Sequence, residues 1–114
     1  MSDCLFCKMV TGEIQPDIVL ENDQILAFRD LNPQAPTHYL IIPKKHITSI
    51  NDLNEVDAPL LGNMYLAASQ LAGECGIAES GYRTLINCGA DGGQTVFHLH
   101  LHLLGGRVMQ WPPG

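Results

Sequence analysis

Six residues near the carboxyl end, His98-Leu99-His100-Leu101-His102-Leu103, alternate strictly between imidazole and leucine side chains. Along a strand, successive side chains leave on opposite faces, whereas a helix would scatter both kinds around its axis. The run therefore predicts a strand over 97–104 with one titratable face and one leucine face. The leucine face demands a core. On the other face successive rings start about 6.6 Å apart at the backbone. Neighbouring imidazoles can then share one phosphate, but all three are loosely placed for one metal. A His-x-His pair also serves zinc, so phosphate and metal both stay open at this point.

The rest of the chain supplies what such a strand needs. A short helix is predicted over 4–11, ended by Gly12, because glycine accepts the left-handed conformation of a helix stop. Strands over 17–20 and 24–30 flank the turn residues Glu21, Asn22 and Asp23 and read as a hairpin, with Ile25, Ala27 and Arg29 on one face. After the loop bracketed by Pro33 and Pro36, an apolar strand over 37–42 ends at Pro43 and is placed centrally. Over 57–75, Leu60, Leu61, Met64, Ala67, Ala68, Leu71, Ala72 and Cys75 recur at spacings of three and four, marking the one long helix. Asp57 is its expected N-cap, Pro59 sits in its first turn and Gly76 stops it. A further strand is predicted over 82–87. The sum is an α+β fold, an antiparallel sheet of about five strands with one long helix over a face and a short amino-terminal helix.

Length and charge narrow the function. A chain of 114 residues with 46% hydrophobic and 16% charged side chains is one globular domain, too apolar for disorder, with no apolar run long enough for a bilayer. A net charge of −6 offers no footprint for nucleic acid or an anionic membrane surface. The start, Met1-Ser2-Asp3-Cys4, lacks the basic and apolar regions of a signal peptide. The expectation is a cytoplasmic protein with four reduced cysteines.

Two further motifs carry chemistry. Gly89, Gly92 and Gly93 with Gln94 and Thr95 form a loop able to bring amides and a hydroxyl to an anion, next to the histidines. Cys4 and Cys7 form a C-x-x-C at the start of the first helix, where residues three apart share a face. No strand precedes them and no βαβ unit surrounds them, so a metal suits them better than thioredoxin-like redox chemistry.

The segment Gln94-Thr95-Val96-Phe97-His98-Leu99-His100-Leu101-His102-Leu103-Leu104-Gly105-Gly106-Arg107 resembles the signature of the histidine triad nucleotide-binding family. The likeness extends through residues 28–38, Ile42-Pro43-Lys44-Lys45-His46 and the terminal Trp111-Pro112-Pro113-Gly114, making residues 1–114 a single histidine triad domain. It is greatest to the purine nucleoside phosphoramidases, which cleave nucleoside 5'-phosphoramidates as homodimers with one continuous sheet.

The resemblance implies roles residue by residue. His100 is the nucleophile that becomes transiently nucleotidylated, a task suited to neutral imidazole. His102 binds the phosphate with Asn87, Gln94 and Thr95 as further partners, and His38 holds the nucleophile's ring through a hydrogen-bond relay. Asp30 takes the ribose hydroxyls, while Leu5, Phe6, Ile14, Phe28 and Leu31 wall the base. His46 and His98 complete a structural zinc site with Cys4 and Cys7, and catalysis itself needs no cofactor. The implied ligands are AMP, GMP and their phosphoramidates. The tail over 108–114 crosses to the homodimer partner and brings Trp111 to its site. Hydrolysis of dinucleoside polyphosphates and a zinc-containing nucleotide-binding module without catalysis are the other readings. Thr95 stands where serine is common in the phosphoramidase branch, and His102 stands where related transferases carry glutamine.

Overall fold

Alternation along the strands gives the sheet two apolar faces, and the order of elements decides what covers each. The computed structural model describes residues 3–114. It runs α1 (Leu5–Thr11), β1 (Ile18–Glu21), β2 (Ile25–Arg29), β3 (Thr37–Pro43), two short 3-10 turns (Ile50–Asp52 and Glu55–Asp57), α2 (Ala58–Glu74), β4 (Tyr82–Leu85) and β5 (Leu101–Gly105). The strands form one antiparallel sheet in the order β1-β2-β3-β5-β4, with β3 central as expected. This is the predicted α+β architecture of one long and one short helix on a five-stranded sheet.

Ile25, Ala27, Ile41, Leu101 and Leu103 leave one face and pack against Met64, Ala67, Ala68 and Leu71 of α2. Leu26, Phe28, Leu40 and Ile42 leave the other, where Phe6 of α1 joins them. By the same parity His38 and His102 project from this second face, since they alternate with Tyr39, Ile41, Leu101 and Leu103. The long helix thus seals the leucine side, and the short one only partly covers the histidine side.

Local chemistry explains the ends of both helices. Cys4 is the N-cap of α1, its Sγ accepting from the Cys7 amide at 3.4 Å, and Gly12 ends the helix at φ 86°. Asp57 occupies the N-cap position of α2 but does not cap that helix. Its buried carboxylate accepts from the Asn54 amide at 3.0 Å and from Lys45 Nζ at 2.6 Å, because the 3-10 turn just ahead captures it first.

The last strand differs most from expectation. It begins at Leu101, so of the three histidines only His102 lies within it; His98 and His100 belong to an irregular approach. The neighbours explain this. Ile41 pairs with Leu101, so continued pairing would set Leu99 against Pro43, which has no amide hydrogen to give. The Leu99 amide donates instead to the Ile47 carbonyl at 2.6 Å. On the other flank β4 ends at Leu85, opposite His102, two residues short of the predicted 82–87. Leu99 stays in the α2 core, so the in-out alternation survives where the ladder does not.

Among the described residues no helix is long and apolar enough to cross a membrane. Leu101 is fully buried at the centre of the larger core, so Leu101→Ala should lower unfolding free energy by about 2–5 kcal/mol. Val56, 79% exposed, should tolerate alanine within about 0.5 kcal/mol. Urea denaturation of the two variants checks the contrast.

Candidate active site

The approach to β5 matters because its unpaired main chain is free to hold side chains. His100 Nδ1 lies 2.7 Å from the His98 carbonyl oxygen. A carbonyl only accepts, so the ring proton is on Nδ1 and the lone pair is on Nε2. Burial depresses the pKa of His100, against weaker opposing effects of that hydrogen bond and of Asp30. The ring is therefore neutral at pH 7, in the tautomer a nucleophile needs.

A second chain of contacts sets the opposite polarity beside it. The Gln34 amide donates to His38 Nδ1 at 3.0 Å, which leaves the proton of neutral His38 on Nε2. That nitrogen lies 2.9 Å from His102 Nδ1 and 3.4 Å from Asp30 Oδ2. His102 accepts through Nδ1 and so carries its own proton on Nε2, which is buried and has no partner among the described residues. The pKa of His102 is lowered to about 4, first by burial and then by the neighbouring His100 and His38. His38, expected to hold the nucleophile's ring, therefore bonds His102 instead; the main-chain carbonyl of His98 holds His100.

Both rings line a cavity of about 260 Å³ between α1, β2 and the histidine segment. Of the residues singled out from sequence, Leu5, Phe6, Phe28, Asp30, Leu31 and Thr95 line it too. Ile14, Asn87 and Trp111 do not, and Trp111 is 82% exposed in its own chain. Gln94 is also absent from the lining, and its role differs from that expected. It is buried, donates through Nε2 to the Thr48 and Val96 carbonyls at 2.7 and 3.2 Å, and accepts from the Gly89 amide at 3.0 Å. A buried amide satisfied by three main-chain groups braces the glycine loop and has little left for an anion. Within that loop a Cβ at Gly92 would sit 2.5 Å from the Cys88 carbonyl oxygen, so the close approach requires glycine.

Met9, Pro16, Arg29, Leu40 and Val96 also line the cavity, and sequence reasoning missed them. Met9 was legible: it stands four residues after Leu5 on the same short helix, hence on the same face. A larger groove of about 510 Å³ between β4 and the tail holds no histidine and no thiol. Its arginines, Arg83 and Arg107, donate to the carbonyls of Gln110 and Gln34.

On the far side of His98 lies a second polar cluster. His98 Nε2 donates to the Pro43 carbonyl at 2.8 Å, so its Nδ1 presents a lone pair. That atom is 3.4 Å from Cys4 Sγ, 3.6 Å from Cys7 Sγ and 3.2 Å from His46 Nδ1, while Cys7 Sγ is 3.2 Å from His46 Nδ1. The four ligand atoms lie within 4.8 Å of one another, close enough to hold one metal ion. Asp30, His38 and His102 are equally close together. There, however, the facing nitrogen of His38 carries a proton as long as the Gln34 amide occupies the other, so that group is a hydrogen-bond relay.

A family model described as scavenger mRNA decapping enzyme C-term binding matches residues 3–110. Among curated proteins, a HIT-like protein of Synechococcus elongatus is 51% identical over 112 residues, 98% of this chain and 97% of that protein. The crystal structure of a HIT family hydrolase from Legionella pneumophila superposes with a TM-score of 0.97 at 58% identity, over 98% of this chain and 100% of that one. A histidine triad protein from Clostridium difficile follows with a TM-score of 0.92 at 43% identity, over 96% of both chains. The chain belongs to the histidine triad family.

The triad is thus divided by its surroundings: His98 turns its lone pair to the cysteines, His100 turns one toward the cavity, and His102 presents a proton. The depressed pKa of His102 has a consequence for stability. An unfolded chain protonates this ring below its ordinary 6.5, whereas the folded one resists until about 4, so the contribution is complete above 6.5 and is lost as pH falls through that window. Urea midpoints measured from pH 7 to pH 4 should fall, and His102→Gln should remove a share on the order of 3 kcal/mol from the difference. An equally steep fall in the variant would show that His102 is not the group resisting protonation.

Proposed function

We propose that this histidine triad protein is a purine nucleoside phosphoramidase, cleaving nucleoside 5'-phosphoramidates into the nucleoside monophosphate and an amine. The observation that carries the reading is the pairing of His100, its lone pair on Nε2, with His102, its proton on Nε2, in one cavity walled by apolar side chains and Asp30. In the first half-reaction His100 Nε2 attacks the α-phosphorus, the P–N bond breaks, and the amine leaves with a proton taken from solvent. In the second, water attacks the nucleotidyl-histidine, the P–Nε2 bond breaks, and a proton returns to solvent. The His102 Nε2–H donates to a phosphoryl oxygen whose charge grows in both transition states. Leu5, Phe6, Phe28 and Leu31 offer a purine its apolar contacts, and the Asp30 carboxylate accepts from the ribose hydroxyls. The name of the Legionella pneumophila relative, a hydrolase, favours the same reaction class.

The cluster of Cys4, Cys7, His46 and His98 is read as a structural zinc site. Zinc bonds of about 2.3 Å to sulfur and 2.05 Å to nitrogen give tetrahedral edges of about 3.5 Å for S···N and 3.3 Å for N···N. The observed S···N separations of 3.2, 3.4 and 3.6 Å and N···N separation of 3.2 Å lie close to those edges. Four protein ligands leave no open position, so the ion would staple α1 to the sheet and take no part in the chemistry. Asn87 and Trp111 stay outside the proposed site of a single chain. The order of strands leaves β4 at an edge, and two such edges paired in a homodimer would extend the sheet, with the tail over 108–114 reaching across to the partner.

His100→Ala should leave less than about one per cent of wild-type turnover of an adenosine phosphoramidate while still binding AMP. Mass spectrometry of wild-type protein quenched during turnover should find a nucleotidyl adduct on the peptide containing His100. Faster turnover of a diadenosine polyphosphate would replace the amine in this scheme, and AMP binding without turnover of either would reduce it to a binding module. Metal analysis of protein purified without chelators should give one zinc per chain. Cys4→Ser should lose it and lower the Tm by at least about 5 °C. An unchanged Tm with no metal in either protein excludes the zinc reading.

A further inference from the structure

We infer that Phe6 and His98 couple the metal cluster to the nucleotide cavity, so that metal and nucleoside monophosphate each raise the protein's affinity for the other. The inference rests on the readings of both sites given above.

His98 belongs to both sites. Its Nδ1 faces Cys4, Cys7 and His46, its Nε2–H is fixed on the Pro43 carbonyl, and its own carbonyl takes the Nδ1–H of His100. A displacement of His98 on the metal side therefore moves the group that orients the nucleophile. Phe6 makes the second link. It stands on α1 between Cys4 and Cys7, is buried, and lines the cavity. Its ring meets the rings of His98, His100 and Phe28 edge-on, at centroid distances of 5.8, 5.1 and 5.5 Å. One aromatic side chain thus touches a cluster ligand, the nucleophile and the cavity wall.

The energetic reason is the length of α1. A helix of seven residues is too short to be stable by itself, so what touches it holds it in place. The metal would hold it at Cys4 and Cys7, and a nucleotide would pack on Leu5, Phe6 and Met9 of the same two turns. Whichever ligand binds first orders the helix, and the second binds to a segment already in position, which is positive coupling. Reciprocity requires the two affinities to change by the same factor.

The test is an equilibrium competition for zinc between the zinc-loaded protein and a chelator, with and without saturating AMP. The same titration without protein corrects for zinc held by AMP itself. AMP should tighten zinc binding at least fivefold, within the range of ordinary allosteric couplings, and AMP titrated into zinc-loaded and chelated protein should show the same factor. Phe6→Leu keeps all four ligands; it should still bind one zinc per chain, with the effect of AMP falling below twofold. Wild-type protein that binds both ligands with zinc affinity unchanged within twofold overturns the coupling. Full coupling in Phe6→Leu overturns the part assigned to Phe6. Wild type that fails to bind zinc overturns the zinc reading, wild type that fails to bind AMP overturns the functional reading, and either result overturns this inference. The wild-type comparison needs no variant to fold.

Discussion

A neutral histidine has one proton and two nitrogens, and the chemistry available to this protein follows from which nitrogen holds the proton. The main chain makes that choice at three of the four rings in the cavity and its flank. The Pro43 carbonyl takes the Nε2–H of His98, the His98 carbonyl takes the Nδ1–H of His100, and the Gln34 amide occupies Nδ1 of His38. His102 then follows from His38. Two rings are left presenting lone pairs and two presenting protons, in a fixed order along one face. Burial keeps the set neutral by lowering the pKa of all four. No charged side chain is needed to set a lone pair beside a donor in this cluster.

Such control depends on main-chain groups that a regular sheet would have consumed. Had β5 continued from Leu101 back to 97, its carbonyls and amides would have been committed to the ladder. Pro43 ends the partner strand where that ladder would need an amide, and the freed Pro43 and His98 carbonyls each take an imidazole proton. The leucines opposite are undisturbed, because Leu99, Leu101 and Leu103 still pack into the α2 core. Irregular backbone on a rigid underside positions functional groups more firmly than a free loop would.

The two sides of the sheet are unequal. Seventeen residues of α2 cover one, whereas seven residues of α1 share the other with the cavity. The thinner cover leaves room for the cavity, and its two cysteines face two histidines from distant parts of the chain. The cavity wall and the cysteine–histidine cluster therefore meet on the same short segment.

What the sequence determined by itself was periodic or local. The His-Leu alternation gave the two faces, the three-and-four spacing gave α2, and glycine and proline marked the ends of the elements to within a few residues. The C-x-x-C pointed to a metal, and resemblance supplied His46 and His98 as its companions. Tertiary structure decided matters whose partners lie far along the chain: the start of β5, set by Pro43; the attachment of His38 to His102; and the diversion of Gln94 to the carbonyl of Thr48. Asp57 is the local exception, its carboxylate taken by a 3-10 turn that no pattern announced. The division has a physical reason. Periodicity records which side of an element is buried, a property each element carries alone, whereas the position of a proton on a buried imidazole depends on a carbonyl or amide that only folding brings near.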